Sequence, residues 1–95
     1  MTTFVFRIYM AANSPNSVRA LTNLRAICRN YFNDQPQIEI VDVLEEPHRA
    51  LADGVLITPS VVRISPSPPR MILGDLSDVK RTLVILDPQQ EVTLQ

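Results

Sequence analysis

One cysteine and one histidine are available for nucleophilic, redox or metal chemistry in this chain of 95 residues. Cys28 falls on the apolar arc of a predicted helix, so we interpret it as a core residue that fills space. His48 has no cysteine or second histidine beside it in sequence that could complete a metal pair, and we interpret it as a solvated side chain. The sequence therefore predicts no metal site and no cofactor.

The serine and carboxylate side chains do not indicate an active site either. Ser14 and Ser17 have no plausible base close in sequence, and Ser14 suits the N-cap of a helix. Glu45 and Glu46 precede Pro47 at a predicted helix start, where acidic groups complement the positive end of the helix dipole. The chain has two glycines, too few for a glycine-rich phosphate loop. We therefore expect no enzymatic activity.

Arginine accounts for eight of the nine basic residues, and a guanidinium pairs with carboxylates in a defined bidentate geometry. Arg19 lies on the polar face of the first predicted helix, and Arg63 and Arg70 bracket a proline-rich segment. These side chains could dock an acidic partner surface. They could equally be solvated arginines on unrelated faces, and composition alone does not decide between the two. A net charge of -1 argues against nucleic-acid binding through bulk charge.

The first half of the chain alternates strand and helix signals. Residues 4–10 are rich in β-branched and aromatic side chains and predict a strand buried on both faces. A helix follows from Pro15 to about residue 32, because proline suits the first helical position. Residues 37–43 predict a strand parallel to the first, and residues 47–52 a short second helix. The apolar arc of the long helix is predicted to contain Val18, Leu21, Leu24, Cys28, Tyr31 and Phe32.

The second half places two strands around a proline-rich segment. Apolar runs at residues 55–64 and 71–73 predict strands, with Pro66, Pro68 and Pro69 between them. Capping and acidic residues at positions 75–78 favour a final helix. Residues 82–86 continue its helical leucine spacing but have strand composition, so tertiary context decides their structure.

The resulting order, β-α-β-α-β-β-α, predicts a thioredoxin-like α/β fold: a mixed sheet with helices on both faces. Such folds often catalyse thiol–disulfide exchange, which needs a reactive cysteine at the start of the first helix. The residues there are Asn13, Ser14, Pro15 and Asn16, so we do not expect an oxidoreductase. We expect a single domain over residues 1–88 and a polar tail over residues 89–95.

The chain is expected to be cytoplasmic and not membrane-bound. Residues 1–10 lack the basic and long apolar regions of a signal peptide. No run approaches the roughly 18 apolar residues that cross a bilayer. A domain of this size buries a modest fraction of its surface, so homo-oligomerisation as a dimer or tetramer is a plausible source of added stability.

Four stretches, at residues 8–21, 40–47, 57–70 and 72–78, resemble the KaiB family of circadian clock proteins. The resemblance runs in register from about residue 4 to residue 87. Its most specific part is the pair Asn-x-Pro-Asn-Ser-Val-Arg-Ala-Leu, at residues 13–21, and Gly-Asp-Leu-Ser, at residues 74–77.

This resemblance implies a non-enzymatic adaptor that binds a KaiC-type ATPase, with KaiA or a SasA-like kinase as further partners. Arg19, Arg63 and Arg70 match basic positions that family members use toward KaiC. An alternative is a stand-alone sensor domain of SasA type in two-component or stress signalling.

The family also implies a second, ground-state fold, β-α-β-β-α-α-β, in which the latter half of the chain exchanges its elements. Pro66, Pro68 and Pro69 would form the pivot, and Pro59 stands where thioredoxin-like folds usually hold a cis proline. Three positions depart from the family pattern. Gly54 replaces a lysine that touches the partner, and Ala12 and Ile85 replace glycines, of which Ile85 should restrict the alternative folds.

Overall fold

A computed structural model describes residues 3–87. Within that range the order is β1 (Val5–Met10), α1 (Pro15–Tyr31), β2 (Gln37–Asp42), α2 (Pro47–Ala52), β3 (Ser60–Ser65), β4 (Arg70–Leu73) and α3 (Val79–Leu86). The strands form a sheet in the order β2-β1-β3-β4, in which β1 is parallel to β2 and antiparallel to β3. The predicted element order and mixed sheet are confirmed. The predicted polar tail at residues 89–95 lies outside the described residues.

One face of the sheet packs against α1 and α3. Alternate residues of a strand point to opposite faces, and the buried Phe6, Ile8 and Met10 of β1 all lie on this one. The ring of Phe6 contacts those of Phe4 and Phe32, with centroids 6.0 and 5.6 Å away. The helices contribute Ala20, Leu24, Ile27, Cys28 and Leu86 to the same core.

The other face of the sheet packs against the short helix α2. Its smaller core contains Tyr9, Val41, Ala50, Val55 and Val62. Helices therefore cover both faces, as predicted. Within residues 3–87, none of the helices has the length and hydropathy that a membrane span requires.

The predicted apolar arc of α1 is partly wrong. Val18 and Tyr31 are exposed, whereas Ala20 and Ile27 are buried. The helix lies against the sheet through the stripe that contains Ala20 and Leu24, one turn apart. Helical spacing predicted one buried arc, but the arc that faces the sheet is displaced around the helix toward Ala20 and Ile27.

β3 begins at Ser60, five residues later than the apolar run that predicted it. Proline has no N–H to donate to a strand ladder, so the regular strand starts only after Pro59. The Thr58–Pro59 peptide bond is cis, as the resemblance led us to expect, and so are the bonds that precede Pro66 and Pro68.

Residues 82–86, for which the sequence signals conflict, are helical. Asp78 caps α3 by accepting a hydrogen bond from the backbone N–H of Arg81 at 3.1 Å, and the buried Leu86 anchors the other end in the core. Tertiary burial along the helical leucine spacing therefore outweighs the local strand composition. The ground-state alternative needs a strand in this segment, so the thioredoxin-like form is the one described.

Candidate partner-binding surface

Arg63, expected to contact a partner, is instead buried, with 1% of its surface exposed. Its Nε donates to the carbonyl of Pro66 at 3.1 Å, and its two terminal nitrogens donate to Pro68 at 2.8 Å and to Leu86 at 3.2 Å. The guanidinium is enclosed by the chain's own carbonyls. In this conformation it is not part of the surface, because burial and internal hydrogen bonds hold it away from any partner.

Arg70 is exposed and begins β4 immediately after the proline-rich segment. It lies directly opposite Arg63 in the antiparallel β3–β4 pair. Pro68 and Pro69 are also exposed, while the carbonyls of Pro66 and Pro68 accept hydrogen bonds from Arg63. The segment is therefore a surface loop whose carbonyls are held by hydrogen bonds from the buried Arg63.

Arg19 is exposed on the first turns of α1 and reaches toward the turn after β4. Its guanidinium donates to Asn16 at 2.8 Å and lies 3.5 Å from the carboxylate of Asp75. Asn23, one turn further along α1, donates to the backbone carbonyl of Asp75 at 2.8 Å. The two stretches that carry the most specific resemblance, residues 13–21 and 74–77, are thus in direct contact.

The turn at residues 74–77 is held from several sides. Gly74 has φ 104°, a conformation that glycine adopts without strain, and its N–H donates to Pro59 at 2.9 Å. Asp75 accepts a hydrogen bond from the N–H of Ser77 at 3.0 Å. Hydrogen bonds from Ser77, followed by the nearby Arg19, hold the pKa of Asp75 below its usual value. A charged carboxylate is therefore available to Arg19 at neutral pH.

The three predicted arginines do not form one cluster. Arg19 contacts the turn after β4, and Arg70 begins that strand, so the two are separated by the length of β4, roughly 10 Å. Arg63, which pairs with Arg70 across the two strands, is buried. The structure offers two exposed guanidinium groups at the two ends of β4 and one internal guanidinium that holds the adjoining loop.

An ion-pair network on the α2 face of the sheet was not predicted. Arg7 pairs with Glu39 at 2.6 Å and with Asp53 at 2.8 Å, and Arg49 pairs with Glu39 at 2.5 Å. The hydroxyl of Tyr9 donates to Asp53. The sequence feature that could have indicated this network is Arg7, a single charged residue within the otherwise apolar strand β1. The sequence predicts a strand buried on both faces, and its second face is instead partly ionic.

This network holds both of its carboxylates in the charged form. Hydrogen bonds from Arg7 and then Arg49 lower the pKa of Glu39. The hydrogen bond from Tyr9, followed by that from Arg7, lowers the pKa of Asp53. Burial raises the pKa of Tyr9, so its hydroxyl remains a donor at neutral pH.

We expect the network to make the fold sensitive to acid. A folded-state pKa below the unfolded value gives stability that is complete above the unfolded pKa, about 4 for these groups, and is lost as the pH falls through the folded pKa. Because the side chains are partly exposed, we expect a contribution of about 1 kcal/mol. Urea denaturation of wild type and Arg7→Met between about pH 6 and pH 3 should show a flatter decline for the variant. Parallel declines would contradict this role.

Apolar side chains are exposed on both sides of α2. Leu56 has 89% of its surface exposed, and Leu44, Leu51 and Ile57 are exposed as well. A cavity of about 380 Å³ opens nearby. Its lining joins the end of α2 to the two outer strands: Ala52, Asp53, Val62, Ile64, Pro69, Arg70 and Met71. Large exposed apolar side chains of this kind are typical of interaction surfaces.

Known proteins are similar in sequence to this chain over most of its length. Residues 7–88 match the KaiB domain. The circadian clock oscillator protein KaiB of Prochlorococcus marinus strain MIT 9313 is 46% identical over 85 residues, which are 90% of this chain and 71% of the relative. The corresponding protein of Nostoc punctiforme is 45% identical over 90% of this chain and 82% of its own length.

Solved structures share the fold at lower identity. The N-terminal domain of SasA from Synechococcus elongatus superposes with a TM-score of 0.68 at 20% identity, covering 98% of this chain and 87% of that domain. Chloroplastic thioredoxin z superposes with a TM-score of 0.64 at 14% identity, covering 98% and 77%. The predicted thioredoxin-like fold is confirmed, and at these identities the likeness concerns the fold alone.

Proposed function

Because the chain belongs to the KaiB family, we propose that it is a non-enzymatic adaptor that binds a KaiC-type ATPase in circadian or related timing and stress signalling. The observation that carries the proposal is the family match over residues 7–88. The relatives that match it are circadian clock oscillator proteins. KaiA and a SasA-like kinase are further candidate partners within the same proposal.

Arg19 and Arg70 are the residues we propose for contact with the ATPase. Both are exposed, and they lie at opposite ends of β4. Two guanidinium groups at this spacing suit a partner surface that presents separated carboxylates. The cavity beside Arg70, lined in part by Val62, Ile64 and Met71, would supply a non-polar part of the contact next to that residue.

The environment of Cys28 argues against the oxidoreductase alternative. The thiol is buried within α1, and burial, with a smaller effect from Asp34, raises its pKa to about 11. Thiol–disulfide exchange requires the thiolate, which is scarce at neutral pH for such a group. The other alternative, a stand-alone sensor domain, is supported only by the likeness in fold to SasA.

Charge reversal tests the proposed contact. We expect Arg19→Glu and Arg70→Glu each to weaken binding to a purified KaiC-type ATPase by about tenfold, because each places a like charge against the partner's carboxylates. Arg25→Glu is the matched control, since Arg25 is also an exposed arginine of α1, and its effect should stay within about twofold. Titrations followed by fluorescence anisotropy give the dissociation constants.

Two results would contradict the proposal at different levels. Unchanged affinity in the Arg19→Glu, Arg70→Glu double variant would remove these residues from the contact. Absence of any complex between the wild-type chain and the ATPase, in anisotropy and in native mass spectrometry, would remove the partner itself.

A further inference from the structure

Arg63 is the largest side chain that residues 3–87 bury almost completely. A guanidinium withdrawn from water is costly unless its N–H groups are hydrogen-bonded. Here the acceptors are backbone carbonyls from two separate parts of the chain, the loop between β3 and β4 and the last turn of α3. One side chain therefore joins both to the centre of the sheet.

The loop cannot hold its own shape through backbone hydrogen bonds. Among residues 66–69 only Ser67 carries a backbone N–H, because the other three are prolines. Its conformation therefore depends on what its carbonyls accept, and Arg63 donates to those of Pro66 and Pro68. Because a guanidinium is planar and its donors are fixed relative to one another, both carbonyls are placed by one rigid group.

The same rigid group also holds the end of α3. The carbonyl of Leu86 is in the last turn of the helix, where carbonyls have no intrahelical partner, and it accepts from Arg63 at 3.2 Å. A positive group at this end also complements the helix dipole. A movement of the end of α3 that breaks this bond must disturb the plane that holds the loop.

We infer that Arg63 is a positioning residue, which places Arg70 for partner contact through the loop and couples that contact to the docking of α3. The inference rests on the proposed function, in which Arg70 touches the partner. Coupling between two sites is reciprocal. Engagement of Arg70 should therefore stabilise α3, and loosening of α3 should weaken binding at Arg70.

Amide hydrogen exchange of the free chain tests the first half of the inference. Arg63→Lys keeps the positive charge, but a single ammonium cannot occupy all three donor positions. We expect exchange in residues 79–86 to accelerate about tenfold, with β1 and β2 unchanged. Arg25→Lys, the same substitution at an exposed position, should leave all three elements unchanged. Unaltered exchange in α3, or equal acceleration throughout the chain, would overturn the inference.

Binding of a purified KaiC-type ATPase tests the second half. We expect Arg63→Lys to raise the dissociation constant about threefold to tenfold, and to reduce the protection of residues 79–86 that the ATPase confers on the wild-type chain. Arg70→Gln should weaken binding, and because it leaves the three Arg63 donors in place, it should accelerate exchange of residues 79–86 in the free chain less than Arg63→Lys does.

Wild-type exchange with and without the ATPase keeps the test independent of whether Arg63→Lys folds. Binding that leaves residues 79–86 unprotected would overturn the coupling. If the wild type formed no complex, the proposed function would fail. The exchange of α3 in free Arg63→Lys would then still decide whether Arg63 joins the helix to the loop.

Discussion

Replacing Phe6 by alanine is expected to lower the free energy of unfolding by about 3–5 kcal/mol. Phe6 is completely buried in the central strand β1, and its ring contacts those of Phe4 and Phe32. Alanine would remove the apolar surface of the ring and leave a cavity between a strand and a helix that are fixed by other contacts. Urea denaturation at neutral pH, followed by circular dichroism, measures the loss.

Two controls separate this effect from the general cost of removing an aromatic ring. Phe6→Leu keeps most of the volume and should cost about 1–2 kcal/mol. Tyr31→Ala removes a ring that is 55% exposed at the end of α1, and should cost less than about 1 kcal/mol. Equal losses for Phe6→Ala and Tyr31→Ala would show that the aromatic cluster is not a centre of stability.

The first half of the fold could be predicted because its signals are local. Pro15 and Pro47 mark helix starts, and both predicted starts agree with the structure. The strands β1 and β2 were predicted to within one residue at each end. In such segments the prolines at the helix starts and the hydrophobic periodicity indicate the same element.

The interior of the candidate site could not be predicted, because one of the contacts that enclose Arg63 comes from a distant part of the chain. The carbonyl that Arg63 shares with α3 lies 23 residues further along the chain. From sequence, Arg63 and Arg70 looked alike, two arginines on either side of a proline-rich segment. The fold buries one and exposes the other. A buried guanidinium is rare, so nothing in the sequence indicated that Arg63, which the resemblance assigned to the partner contact, is buried in this structure.

The partner contacts of Arg19 and Arg70 remain predictions, but the structure now gives the exposure of both residues and the surroundings of Arg19. The resemblance selected both positions, and the structure leaves both exposed. It also adds a structural role for Arg19, which contacts Asp75 in the turn after β4. A loss of binding on changing Arg19 therefore needs a check that this turn is intact.

Ile85→Gly is expected to lower the stability of α3 by about 2 kcal/mol. Ile85 is a partly buried residue of the helix and packs against the main core. Glycine in a helix interior costs about 1 kcal/mol relative to alanine, and the lost apolar contact of a half-buried side chain costs about another 1 kcal/mol. A change of this size alters a conformational equilibrium by a factor of about 30.

The matched control is Ile85→Ala, which removes the same side chain but keeps a good helix former. Carbon chemical shifts of residues 79–86 report helix or strand in each variant, and light scattering after size exclusion reports the oligomeric state. We expect helical shifts to weaken in Ile85→Gly and to persist in Ile85→Ala. Identical shifts and stabilities in the two variants would contradict a backbone effect at this position.

Comparing Ile85→Gly with Ile85→Ala tests whether this position selects the thioredoxin-like fold, because residues 82–86 have strand composition but form a helix. The helix persists since Leu86 is buried, Asp78 caps its start and Arg63 binds its last carbonyl. Glycine at position 85, which the resemblance leads us to expect in family members, would weaken the helix without changing those anchors. If strand shifts and a larger oligomer then appeared, Ile85 would be the residue that keeps this chain in its thioredoxin-like form.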